Sequence, residues 1–98
     1  MANPKLEDGY TRVANELLEA LARIKLCAYE TKALIFIIRK TYGWNKKTDW
    51  IALSQISENT CILKPNVSRT IKRLQSRNII TRDNHRHVGL QKDYEKWK

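Results

Sequence analysis

Apolar positions along this chain recur first at helical spacing and, past residue 78, at strand spacing. Ala14, Leu17, Leu18 and Leu21 fall at i, i+3, i+4 and i+7, which is one face of a helix. The pattern opens at Tyr10, with Thr11 placed to cap it. A second helix is predicted from Ala28 to Tyr42, with Leu34, Ile37, Ile38 and Thr41 on one face and Ala33, Ile35 and Phe36 widening it nearly all round. A helix apolar on most sides belongs at the centre of its domain. Gly43 is expected to end it, because glycine takes the left-handed conformation without steric cost.

Trp44 to Trp50 then reads as a polar loop held by two aromatics, and Ile51-Ala52-Leu53 as a short strand. Ser54 is placed to cap a third, short helix over Gln55 to Thr60, with Ile56 facing inward. After a turn at Cys61-Ile62-Leu63, a fourth helix starts at Lys64 or Pro65, where a proline costs no hydrogen bond. It turns Val67, Ile71 and Leu74 inward and ends near Asn78. Two strands, Ile79–Arg82 and Val88–Gln91, flank the turn-prone run Asp83 to His87. The predicted fold is mainly α with a small β-hairpin, in the element order of a winged helix-turn-helix. Residues 1–9 are expected to be a mobile lead-in to a single domain over residues 10–98.

Charge changes the picture. The chain has 98 residues and a formal net charge of +9, and a basic excess of this size on a small domain suits a polyanionic partner. The excess is not spread evenly. Between Lys64 and Arg86 the chain holds Lys64, Arg69, Lys72, Arg73, Arg77, Arg82 and Arg86 against Asp83 alone, and such clustering marks a binding surface more than a device for solubility. The longest apolar run, Ala33 to Ile38, is far short of the roughly 20 residues that span a membrane. No signal peptide precedes it, so the two cysteines are expected to be reduced thiols in the cytoplasm of a bacterial host.

A helix-turn-helix presents its second helix to the major groove of double-stranded DNA. With Val67, Ile71 and Leu74 inward, Pro65, Arg69, Lys72, Arg73 and Ser76 lie outward, Asn66 flanks them, and Lys64 and Ser68 belong to the same end. Arg69 suits bidentate contact with guanine and Asn66 with adenine, whereas Lys72 and Arg73 suit phosphates. Free N–H groups at the helix starts near Ser54 and Lys64 also suit phosphate oxygens. His85 and Arg86 at the hairpin tip form the candidate wing. His85, His87, Cys27 and Cys61 lack the close paired spacing of a zinc site. Glu7 and Asp8 sit on the lead-in, and no phosphate loop or nucleophile elbow appears. No metal, cofactor or catalysis is expected.

Specific runs resemble a known family. Gly9 to Leu21, the run Arg39-Lys40-Thr41-Tyr42-Gly43-Trp44-Asn45-Lys46-Lys47 with Asp49 and Ile51, Val67-Ser68-Arg69, Asn78-Ile79-Ile80, and Gly89 to Tyr94 with Trp97 resemble the N-terminal domain of the bacteriophage replication protein O family. The resemblance implies an initiator that binds repeated origin sites, commonly as a homodimer on DNA, and recruits helicase-loading proteins through a further C-terminal region. Two positions depart from the helix-turn-helix pattern: Cys61 stands where glycine is frequent, and Leu63 where a small capping residue is. A transcriptional regulator of phage or prophage genes is the alternative within the DNA-binding class. A winged helix serving as a protein-interaction module is the alternative outside it.

Overall fold

A computed structural model describes residues 1–98. It contains four helices, α1 (Asn15–Arg23), α2 (Ala28–Thr41), α3 (Leu53–Thr60) and α4 (Lys64–Ser76), and three strands, β1 (Asp49–Trp50), β2 (Ile80–Arg82) and β3 (His87–Leu90). The strands form one antiparallel sheet in the order β1-β3-β2. Helix α2 packs against α3, α4 and β3, and the buried side chains of all these elements merge into one cluster that includes Leu34, Ile37, Ile56, Ile71, Leu74 and Val88.

The first helix starts later than its apolar pattern suggests. Ala14, not Thr11, is the N-cap, and the buried positions are Leu17 and Ala20, with Leu21 and Ile24 partly covered. Leu18, expected inside, is 50% exposed. Thr11 is held elsewhere: its hydroxyl comes close to Gly43, and the segment from Gly9 to Thr11 lies beside Arg39 and Trp44 at the end of α2. That tertiary contact outweighs the local helix signal at residues 10–13.

Helix α2 ends as expected, but not by the expected means. A 3-10 turn over Tyr42–Trp44 follows it, and the left-handed residue is Asn45 (φ 57°), not Gly43. Its outer side is not covered, since Ile35 is 64% exposed. The strand expected at Ile51–Leu53 lies two residues earlier, at Asp49–Trp50. The Asp49 side chain anchors the start of this strand to α2 and to the preceding loop. It accepts the Trp50 N–H and pairs with Lys40 at 3.4 Å and Lys46 at 3.8 Å. Burial acts to raise the Asp49 pKa, but these partners outweigh it and hold the carboxyl below its usual value.

Helix α3 accordingly starts at Leu53, and its N-cap is Ala52 rather than Ser54. Gln55 replaces the missing cap oxygen by reaching back to accept the Ala52 N–H at 2.9 Å, the half of a capping box that sits at the third helical position. Leu53 packs against the core, which draws the helix start forward and leaves Ser54 exposed in the first turn.

Candidate nucleic-acid interface

The interface candidate begins at the turn between α3 and α4. Cys61 occupies the left-handed region at φ 59° and closes α3 by donating its N–H to the Ser57 carbonyl at 3.0 Å. A cysteine therefore makes the turn for which glycine is the usual residue, at a cost of roughly 1 kcal/mol. The Ser57 hydroxyl donates to the Ile62 carbonyl at 2.6 Å and fixes the next residue, while the Ile62 side chain is buried. Leu63 is the N-cap of α4 through its backbone alone. Its carbonyl accepts from Asn66 and Val67, and its side chain is 74% exposed.

Helix α4 buries Val67, Ile71 and Leu74 as its spacing predicts, and Thr70 as well. The hydroxyl of Thr70 is satisfied by the Asn66 carbonyl at 2.7 Å, so a polar side chain takes a core position without an unpaired group. Lys64, Pro65, Arg69, Lys72, Arg73 and Ser76 are exposed, and Asn66 and Ser68 half-buried. Arg69 donates through Nη1 to Asn66 Oδ1 at 3.0 Å, so the two side chains expected to read bases present themselves as a coupled pair.

The basic residues further along differ. Glu30, buried in the first turn of α2, receives Arg77 Nη1 at 2.9 Å and the Cys27 N–H at 2.9 Å. Arg73 leans toward the same carboxylate, with Nε 4.0 Å from Oε2 and Nη2 3.4 Å from Cys27 Sγ. Arg77 also donates to the carbonyls of Lys25 at 2.8 Å and Lys98 at 2.7 Å. Burial acts to raise the Glu30 pKa, but the Cys27 N–H and Arg77 prevail and hold it below the ordinary carboxylate range. Arg77 is thus a clamp between α2 and α4, and Arg73 is less free than a solvent-facing cation.

The hairpin carries the other candidates. Asp83 organises its turn, accepting N–H groups from His85 at 2.8 Å and His87 at 3.0 Å on one oxygen. The His87 N–H bond, despite some opposing desolvation, lowers the pKa of the Asp83 carboxyl. His85 and Arg86 are exposed at the tip, and Arg86 sits at φ 61°. Its carbonyl accepts the Ile51 N–H at 3.1 Å, which ties the tip to the chain beyond β1.

Strand β1 adds a residue that the sequence reading took only as an aromatic holding the loop. Trp50 pairs in register with His87 and is 49% exposed beside the hairpin. The alternation of exposed Trp50 with buried Ile51 was the available signal. Gly89 makes the pairing close enough, because a β-carbon there would collide with the Lys47 carbonyl.

These features bring Lys64, Asn66, Arg69 and Lys72 together on one helix face and place His85 and Arg86 on a separate hairpin. They leave Ser54 on α3. No three His, Cys, Asp or Glu side chains converge as metal ligands would, and no helix is long and apolar enough to cross a membrane.

Comparison with known proteins points one way. The family described as bacteriophage replication protein O matches residues 2–97. The chain is 38% identical over 94 residues to the DNA replication protein gp18 of Salmonella phage P22, and covers 34% of that protein. It is 36% identical over 95 residues to replication protein 15 of Enterobacteria phage phi80, covering 32% of it. Over 55 residues, 56% of this chain and 16% of the relative, it is 53% identical to replication protein O of Escherichia phage lambda. The chain thus spans about a third or less of the length of these relatives. No solved structure matches it.

Proposed function

Because the chain belongs to the bacteriophage replication protein O family and so has a role in phage DNA replication, we propose that it is the origin-binding part of a replication initiator. In this reading residues 53–90 act as a winged helix-turn-helix on double-stranded DNA. Helix α4 enters the major groove, Arg69 and Asn66 meet base edges, and Lys64 and Lys72 meet phosphates. The N–H groups in the first turn of α3, around Ser54, face a phosphate, and the hairpin places His85 and Arg86 on the backbone or in the minor groove. Binding to repeated sites as a homodimer, and recruitment of helicase-loading proteins through a further region of a longer protein, complete the proposal. The chain itself acts by binding and carries out no turnover.

One observation supports this reading above the rest. The outward face of α4 carries Lys64, Arg69 and Lys72 exposed and without a carboxylate partner, while Glu30 is taken up by Arg73 and Arg77 and Asp83 by the hairpin turn, so that Glu58 of α3 is the one exposed and unpaired carboxylate within residues 53–90. A face kept positive in this way is what a polyanion requires.

Footprinting on the cognate phage genome tests the proposal. Repeated protected sites within a replication gene are expected, whereas a single promoter operator would favour the regulator instead. With about four phosphates neutralised, log K should fall against log salt with a slope of roughly −4. A flat response would remove the electrostatic basis of the reading.

A further inference from the structure

Helix α2 has two working sides. Ala33, Leu34, Ile37 and Thr41 are buried in the core, and Glu30 on the same side meets Arg73 of α4 and Arg77 at its C-cap. At 100° per residue, Lys32, Ile35 and Arg39 lie on the opposite side. They form one wall of a groove of about 620 Å³, with Phe36 and Trp44 beside them and Gln55 and Asn59 of α3 across from them.

The lining combines apolar Ile35, Phe36 and Trp44 with basic Lys32, Arg39 and Lys40. Ile35 is 64% exposed and Trp44 62%, so two large apolar side chains stand uncovered within one site. The Arg39 guanidinium stands 5.9 Å over the Trp44 ring with Nη1 close to Gly43, and it adds positive charge to the rim beside that ring. Lys40 is engaged with Asp49, whereas Lys32 and Arg39 have no acidic partner, and no carboxylate lines the groove.

We infer that this groove is a docking site for an acidic amphipathic helix of a protein partner. Leucine-like anchors at i, i+3 or i+4 and i+7 would lie on Ile35, Phe36 and Trp44, and flanking carboxylates would meet Lys32 and Arg39. Ile35 favours a peptide over a nucleic acid, because an exposed aliphatic side chain in the lining offers nothing to phosphates and little to bases. The α2 wall of the site lies on the side of α2 away from α4, clear of a duplex on the outer face of α4, and only Gln55 at its α3 edge borders the first turn that is proposed to face a phosphate. DNA and partner can then be held at once.

The test is a titration of the whole ¹⁵N-labelled chain with a synthetic amphipathic peptide of about four helical turns, leucine on one face and glutamate on its flanks. A scrambled peptide of the same composition and an oligothymidine strand are run beside it. Shifts should move at Lys32, Ile35, Arg39 and the Trp44 indole, and persist with saturating duplex DNA present. Ile35→Glu and Lys32→Glu, both at exposed positions and checked by thermal melts, should each weaken the peptide by about tenfold or more. Equal binding of the scrambled peptide would reduce the effect to bulk charge and overturn the inference. So would single-stranded DNA moving the same resonances while the peptide does not. Shifts that depend on protein concentration alone would make a second copy the occupant and overturn it too.

Discussion

One half of the basic set on α4, Lys64, Arg69 and Lys72, stands in solvent, and the one side-chain hydrogen bond among them, Arg69 to Asn66, stays within the helix. The other half of the set is Arg73 in the last turn and Arg77 at the C-cap, of the same chemical type, yet Arg77 spends its donors on buried Glu30 and on the carbonyls of Lys25 and Lys98. The two ends are also anchored differently. A strained turn with no side-chain cap feeds the first, and an ion pair with a buried carboxylate fastens the second. The difference teaches that a run of basic residues on one helix need not be one surface. What divides it here is a single acidic residue on another element, 47 positions away in sequence.

The comparison breaks most visibly at Arg77. Arg77→Met should leave Glu30 buried without its main cation and cost about 2–3 kcal/mol, below the usual range for a buried pair because the Arg77 side chain is 26% exposed. That corresponds to a fall in Tm of roughly 10–20 °C. The salt slope of DNA binding at temperatures where the variant is folded should not change. If Arg77→Met instead weakens DNA binding while the melt is unaltered, the two halves are one surface after all.

Acid sharpens the same contrast. The folded-state pKa of Glu30 is depressed, so its contribution is present above the ordinary carboxylate range and is lost as pH falls through the lowered value. In Arg77→Met much of that stabilisation is gone and burial is less opposed. The stability profile of the variant should therefore be flatter across the acid limb in denaturant titrations at stepped pH.

At the other half, Arg69→Ala should cost about 1–3 kcal/mol on the cognate site, much less on random duplex, and nothing in the melt. An unchanged ratio of specific to non-specific affinity would mean that this end does not read bases. The strain feeding that end can be relieved without touching DNA. Cys61→Gly should stabilise the chain by about 0.5–1 kcal/mol in urea titrations, since glycine adopts φ 59° freely.

The smallest effect separates Lys72 from Arg73. Lys72→Ala should reduce the salt slope by roughly one with no change in the melt. Arg73→Ala should reduce it by less and lower the melt slightly, because Arg73 partly serves Glu30.

Helix α4 was legible in the sequence because Val67, Ile71 and Leu74 fall on one helical face and Pro65 marks its start, and both hairpin strands were legible from the change of period. The outward set Lys64, Arg69 and Lys72 follows from that register alone. What was not legible depends on contacts distant in sequence. Thr11 is a good cap until the end of α2 claims it. Ser54 is a good cap until Gln55 reaches Ala52 and Leu53 finds the core. The role of Arg77 was invisible because nothing near it in sequence is acidic except Asp83, and its partner lies on α2. Thr70 shows the same limit: a hydroxyl is sequence evidence for a surface, yet its bond to the Asn66 carbonyl lets it be buried.

The hairpin is tied at three points: β1 lies along β3, the Arg86 carbonyl holds the Ile51 N–H, and Asp83 gathers two N–H groups within the turn. Its tip is thereby ordered before any encounter, and little conformational entropy remains to be lost when it meets a surface. For a duplex ligand this bears on kinetics. Collision need not wait for a loop to fold, so association of the proposed complex should run in a single fast phase steered by charge. Contacts made by His85 and Arg86 would then register in how long that complex lasts, more than in how quickly it forms.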